Sequence, residues 1–546
     1  MTEHKNQTIP SLITTSAERF AERPALSYVK GDPVTYNGLL QNIRSLVKFL
    51  EDLGVGPGDK VAILSTNSPN WGIAYLSVTW MGAVAIPILP DFSPEEVDNV
   101  LNHSDTKAIF VSQGLKHKVS CQKCKELRFR IALEDFSLIN VGVDAKYDPE
   151  SFSETDYDVK ENDLAAIIYT SGTTGRSKGV MLTHKNLYSN TVSCSNVQHI
   201  DEYDRMLSIL PLSHTYENTV GFLLPMYRGA AVYYLDKLPT PPVLLPALKE
   251  VKPTLMLSVP LIIDKIYRKK ILPTFTKNRL VGSLYSIPFI RKRLNVLAGK
   301  KLMQMFGGEL KFFGIGGAKL DREVEKFLCE AKFPYAIGYG LTETSPLLAG
   351  VNPQTTRLES TGPAVSNVQL RINDPDPSTG EGEIWAKGPN VMQGYYKDSE
   401  LTDEVLTKDG WFRTGDLGLF DKDNYLYIKG RLKSMIVGLS GENIYPEEIE
   451  SLINSYRFVS ESLIVDRKGK LVALVHFNRE ELEEKAKNVK EEVSLYVEKR
   501  IDELREEVRA YVNSRVNRFS QIKIVIAHHE PFKKTATQKI KRFLYQ

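Results

Sequence analysis

At 546 residues the chain has room for roughly three to four domains of ordinary size, and its 42% hydrophobic and 25% charged content is that of a globular protein. A formal charge of +3, with no basic stripe carrying interleaved aromatics, argues against nucleic acid as a partner. Four cysteines in so long a chain argue against a disulfide scaffold and fit a reducing compartment.

The N-terminal MTEHKNQTIPSL has no apolar signal core, so the chain is expected in the cytoplasm. Short apolar runs at Val61–Leu64 and Ala108–Val111 predict buried strands. Between them, Trp71 to Pro90 is uncharged over about a bilayer's thickness. Gly82, Pro87 and Pro90 break it, and it reads as a buried helix to Met81, a glycine turn and a strand at Ala83–Ile88. Cys121 and Cys124 form a CxxC with no second pair at zinc spacing and no redox context, which reads as coincidence.

Leu164–Tyr169 predicts another buried strand, and AIIYTSGTTGRSKGVMLTHKN around it carries the densest signal in the chain. Gly172, Gly175 and Gly179 let the backbone turn and present N–H groups to an anion, Thr170, Ser171, Thr173 and Thr174 add side-chain donors, and Lys178 adds a point charge. This is a phosphate-holding loop, although by composition alone it also fits a surface loop. It is not GxxxxGK[ST], because Ser177 stands where that pattern needs glycine.

Further strands are predicted at Met206–Leu210, Thr254–Val259 and Phe312–Ile315, alternating with helix-length segments, so the region to about residue 360 reads as α/β with parallel sheets and crossover helices. From Gln369 the texture turns to short strands and turns, a small β-rich subdomain over about 361–430. After Gly430 the chain is highly charged. Val493, Val497, Ile501, Leu504, Val508 and Val512 predict one packed helical face within 480–517.

Five segments occur in a fixed order: YTSGTTGRSKG, GYGLTET at Gly338–Thr344, WFRTGDLG at Trp411–Gly418, KGRLKSMIV at Lys429–Val437 and KKTATQKIKR at Lys533–Arg542. Together they resemble the signature of the adenylate-forming superfamily, from about Glu18 to the C-terminus. Leu302–Gly350 looks most like long-chain fatty acyl-CoA synthetases. The resemblance implies an N-terminal AMP-binding domain over 1–430 and a mobile α+β C-terminal domain over 431–546, hinged at Lys433.

It also implies a reaction and its residues. ATP and magnesium would activate a long-chain fatty acid to an acyl-adenylate, and coenzyme A would take the acyl group. Thr170 to Lys178 would serve the phosphates. Glu343 matches the magnesium-binding glutamate, a hard oxygen ligand, with Thr170 beside it. Asp416 matches the aspartate on the ribose hydroxyls, joined by Arg431, while Gly316, Gly317, Ala318, Tyr339, Gly340 and Thr342 resemble the adenine and adenylate turn. Lys539 aligns with the lysine bridging carboxylate and α-phosphate; Gln538 stands before it where the family has glycine. Lys433 and Thr342 complete the catalytic set. His214, in LPLSHTYENTVGF, is expected near the carboxylate with Gly317 and Gly340, and the Gly438–Glu442 loop near the thiol.

Two alternatives stay open: the pantetheine of acyl carrier protein as acceptor, and a non-catalytic fatty-acid or acyl-adenylate binding protein. Residues 267–294 mix Lys and Arg with Leu, Ile, Phe and Tyr. That composition fits a solvated loop and also a peripheral contact with the inner face of a membrane.

Overall fold

The computed structural model describes residues 6–120, 124–139, 145–171, 177–276, 279–437, 443–467, 469–486, 493–535 and 539–545. Cys121, Gly172 to Gly175, the Gly438–Glu442 loop and Gln538 lie outside the described residues. Two large sheets dominate. The eight-stranded sheet runs, edge to edge, Leu347–Gly350, Tyr335–Gly340, Phe312–Ile315, Leu255–Ser258, Arg205–Ser208, Ala231–Tyr234, Pro24–Tyr28 and Val34–Thr35. Its interior pairings are parallel and its two edge pairings antiparallel. The seven-stranded sheet runs Gly394–Tyr395, Ser177–Thr183, Leu164–Ser171, Val84–Ile88, Lys60–Leu64, Thr106–Val111 and Phe129–Ala132.

Strands buried on both faces need apolar residues at every position, and Val84–Ile88 is buried throughout. The helix before it, Pro69–Trp80, is also buried on nearly all sides. Ser68 caps its first turn by accepting the Trp71 N–H, and Pro69 starts it at no cost in hydrogen bonds. Gly82 then turns the chain at φ +72°. The uncharged stretch is thus core, and among the described residues no helix is long and apolar enough to cross a membrane.

The largest hydrophobic cluster joins the two sheets: Leu26 and Val232 of one meet Val61 and Ile168 of the other across Trp71 and Tyr75. Separate clusters cover each outer face, with Phe313 and Ile315 behind one sheet and Ala62 and Ile86 behind the other. A four-stranded antiparallel sheet follows, Gln369–Asn373, Gly382–Lys387, Phe412–Phe420 and Leu426–Arg431. Residues 443–545 enclose a core of their own, in which Val497, Ile501, Leu504, Val508 and Val512 of the helix Val493–Asn513 pack on the sheet Val459–Arg467, Lys470–Phe477 and Ile524–Ala527. The expected stripe loses one member: Val493, in the first turn, is exposed.

Candidate active site

The end at which a nucleotide is expected is built by strand register. Asp416 and Arg431, fifteen positions apart, sit opposite one another on the antiparallel pair Phe412–Phe420 and Leu426–Arg431. Arg431 Nε pairs with Asp416 Oδ1 at 3.1 Å, and the Tyr339 hydroxyl donates to Oδ2 at 2.8 Å. Burial pushes the Asp416 carboxyl up and the Arg431 cation opposes it.

Small residues shape the wall beside this pair. Gly316 follows directly on the strand Phe312–Ile315, and a Cβ there would stand 3.2 Å from the Tyr216 ring. Gly317 adopts φ +84° and, like Ala318, is open to solvent. At Gly340 a Cβ would fall 1.8 Å from the Pro346 carbonyl oxygen, so no other residue fits this backbone path. Behind it the Thr344 hydroxyl donates to the Pro346 carbonyl at 2.6 Å, and the Asn390 amide donates to the Thr344 carbonyl at 2.8 Å. The short turn Thr342–Thr344 is therefore held rigidly, with Glu343 at its middle.

Glu343 accepts from the Tyr395 hydroxyl at 2.8 Å, and the Lys178 ammonium stands 5.2 Å from the centre of the same tyrosine ring. Lys178 reaches this point because Ser177–Thr183 returns antiparallel to Leu164–Ser171, with Thr170 opposite Lys178. The phosphate-type segment is thus the connection of a β-hairpin, not a strand-to-helix turn. Burial and the nearby charge of Lys433 lower the Lys178 pKa, and Glu343 opposes them. Lys433 lies exposed in the turn Leu432–Ser434.

Lys539 comes from the far end of the chain into this cluster. Its pKa is lowered by the closeness of surrounding protein and by Arg431, against the attraction of Asp416, Glu447 and Glu343, although solvent still reaches the residue. His214 feels the same ammonium: burial and Lys539 push it down to about 4, so its ring is neutral at neutral pH. Its Nδ1 accepts the Tyr216 N–H at 3.3 Å, and the Thr215 hydroxyl donates to Thr342 at 3.4 Å, tying the His214 segment to the Glu343 turn.

Three contributors carried no separate signal in the sequence. Tyr395 and Tyr216 look like any core aromatic. Glu447, in the first turn of Pro446–Asn454, reads as an ordinary helix-start acid.

A family model described as AMP-binding enzyme matches residues 13–396. The chain belongs to the AMP-binding enzyme family. It is 31% identical over 456 residues to the peroxisomal long chain acyl-CoA synthetase 6 of Arabidopsis thaliana, covering 75% of this chain and 63% of that one. To a long-chain-fatty-acid–CoA ligase of Gallus gallus it is 29% identical, spanning 76% of this chain and 59% of the relative. A 4-coumarate–CoA ligase of Humulus lupulus is 29% identical, with 88% and 86% covered. Among solved structures, ATP-bound MatB from Rhodopseudomonas palustris superposes with a TM-score of 0.76 at 23% identity over 99% of this chain and 98% of that one. An O-succinylbenzoate coenzyme A synthetase of Bacillus subtilis, in complex with ATP and magnesium, scores 0.76 at 21% identity, covering 97% and 98%.

In this AMP-binding enzyme an apolar cleft lies on the side of Tyr216, whose backbone N–H donates to His214. Cys194, Val220, Leu224, Leu257 and Leu347 line it, and the bare backbones of Gly314 and Gly338 keep it open. The cleft is narrow as it stands, with ≈ 50 Å³ of enclosed space, below the usual range for small-molecule sites, so an occupant has to part its walls. Tyr216 both lines the cleft and covers Gly316. One wall is the π-helical turn Glu217–Leu223, a geometry that widens a helix and recurs at functional sites.

Proposed function

We propose that this AMP-binding enzyme activates a long-chain fatty acid with ATP and magnesium and passes the acyl group to coenzyme A. The observation that carries the reading is an apolar cleft whose wall residue Tyr216 donates its N–H to His214, the residue that feels the Lys539 ammonium. An alkyl chain gains about 0.8 kcal/mol for each methylene it buries, so the cleft favours a long apolar tail whose carboxylate ends among the charges.

In the first step a carboxylate oxygen attacks the α-phosphorus, the bond to the bridging oxygen breaks, and pyrophosphate leaves. Asp416, an acceptor, holds the two ribose hydroxyls, and Tyr339 and Arg431 fix its orientation. Thr170 to Lys178 and the adjoining backbone take the phosphates. Lys539 meets the negative charge shared by carboxylate and α-phosphate, where a preoriented cation acts most strongly. Neutral His214 and Thr342 position the acyl end.

Among the described residues no three His, Cys, Asp or Glu side chains come together as a metal cage. That fits magnesium, which is held by one or two protein oxygens and mostly by phosphates; Glu343 and Thr170 would supply those oxygens. When bound, it neutralises phosphate charge. In the second step a thiol attacks the acyl carbon and AMP leaves. For this step residues 431–546 would swing about Lys433 as a unit, withdrawing Lys539 and bringing up the Gly438–Glu442 loop.

The test is AMP release from ATP with saturated acids from acetate to stearate, each with coenzyme A, with acyl carrier protein, or with neither. Coenzyme A-dependent turnover confined to long chains, reduced at least about a hundredfold in Lys539→Ala, is expected. Turnover with carrier protein alone would replace the acceptor, turnover of short or aromatic acids would replace the substrate, and no turnover of any acid would leave a binding protein.

A further inference from the structure

Between Asp264 and Glu309 the chain carries eleven Lys or Arg and no acidic residue, in a protein whose net charge is only +3. The structure turns this bias into a surface. The helix Pro288–Met305 is fastened by one face: Arg291 donates to Glu330 at 2.9 Å, Asn295 donates to the same carboxylate at 2.8 Å, and the Tyr285 hydroxyl donates to Asn295 at 2.9 Å. Gly299 and Leu302 continue that buried face.

The opposite face carries Phe289, Arg293, Leu297 and Lys300, all exposed and spaced three or four residues apart, with Lys292 exposed on the flank. Phe289 is 64% exposed and Leu297 57%. At the corner with the preceding helix, Arg279–Tyr285, Leu284 and Ile287 add 47% and 45%. Single exposed apolar residues are ordinary, but a cluster rimmed by charge of one sign marks an interaction surface. Arg293 lies over the Phe289 ring at 4.4 Å, with its stem along apolar surface and its charge at the rim.

We propose that this corner docks on an anionic lipid bilayer, with Leu284, Ile287 and Phe289 entering the headgroup boundary and Lys292, Arg293 and Lys300 meeting lipid phosphates. Charge complementarity selects this partner, because the patch offers cations and aliphatics and no acid to pair with a basic protein. The tight anchoring of the helix on Glu330 means that the patch is preformed and pays little ordering cost on binding. This surface stands apart from the identity of the acid and from the active site, so binding and turnover fail or succeed independently.

The experiment is co-sedimentation of the full chain with vesicles of phosphatidylcholine alone and of phosphatidylcholine mixed equally with phosphatidylglycerol. Binding to the anionic vesicles, weakened by salt, is expected. Lys292→Gln with Arg293→Gln should weaken it roughly 25-fold, at about fivefold for each charge near the surface, and Ile287→Asp with Phe289→Asp should abolish it. An unchanged melting temperature, together with unchanged turnover, without vesicles, of whichever acid the wild type uses when that acid is supplied in micelles, shows that each variant is folded. Equal binding by wild type and both variants, or no binding by any, overturns the proposal. So does a dimer in solution that the same variants dissociate, which would assign the patch to a second copy.

Discussion

Glu217 lies inside the protein with one carboxylate oxygen accepting from the Ser208 hydroxyl at 2.6 Å and the other, Oε2, without a hydrogen-bond partner. Burial pushes its pKa up from 4.5 to about 8, so it is largely protonated at neutral pH. As pH rises from 4.5 toward 8, the unfolded chain loses this proton while the folded chain keeps it, and stability falls along that interval. The slope from one such group is at most about 1.4 kcal/mol per pH unit. Glu217→Gln keeps the shape and removes the titration. Its apparent Tm relative to wild type should therefore rise between about pH 5 and pH 8, measured by thermal scans; an offset that does not change with pH would contradict the assignment. In LPLSHTYENTVGF no residue pattern sets Glu217 apart from a surface acid. Only the π-helical turn that rotates it inward makes it a core acid.

Among the elements, the legible ones are those whose burial leaves no choice of residue. Val61–Leu64, Ala108–Val111, Leu164–Tyr169 and Phe312–Ile315 announce strands because both their faces are covered. Apolar runs do not say which strand pairs with which, so neither the antiparallel return after Leu164–Ser171 nor the register joining Asp416 to Arg431 was readable from periodicity. Resemblance supplied Asp416, Glu343 and Lys539 as residues, and the sheets supply the reason they converge. The apolar cleft was legible only in part: LPLSHTYENTVGF, the segment of His214, supplies Tyr216 and Val220, but the rest of the lining comes from two helices and five strands, and Gly314 and Gly338 act through a missing side chain. Gly338 gives a direct test of the cleft. A Cβ there would meet the end of the Leu347 side chain at 2.9 Å, which can give way, and the methyls of Gly338→Val would then enter the cleft. Losing room for about two methylenes costs about 1.6 kcal/mol, so kcat/KM for the longest acids should fall roughly 15-fold relative to acids short enough to stop before the obstruction. An equal fall at every chain length would mean that Gly338 supports the strand and does not bound the substrate.

At the scale of the whole molecule, Lys539 stands near Asp416 with residues 443–545 seated on the large sheets, and three polar contacts among the described residues bear on that seat. The Tyr445 hydroxyl donates to Glu381 at 2.7 Å, Lys319 pairs with Glu448 at 3.0 Å, and Arg268 Nη1 donates to the Ser455 carbonyl at 2.9 Å. Arg268 is the most constrained of these. It projects from the π-helical turn Tyr267–Ile271, with Asp264 at 2.8 Å and Asp321 at 3.3 Å fixing its guanidinium plane, and its charge is held firmly by both carboxylates. A contact present in the seated arrangement and absent after a rotation about Lys433 stabilises only the first of two states. A hydrogen bond from a charged donor contributes about 1.5–3 kcal/mol, so its loss should shift the balance at least about tenfold away from the seated state. Arg268→Gln is therefore expected to slow ATP–pyrophosphate exchange about tenfold while thioester formation from supplied acyl-adenylate proceeds at the wild-type rate or faster. The second rate also serves as the folding control, since a chain damaged by the exposed Asp264 and Asp321 carboxylates would lose both. Equal loss in the two half-reactions would make Arg268 a structural ion pair of the large domain, and the seated arrangement would then rest on other contacts, those of Glu381 and Glu448 among them.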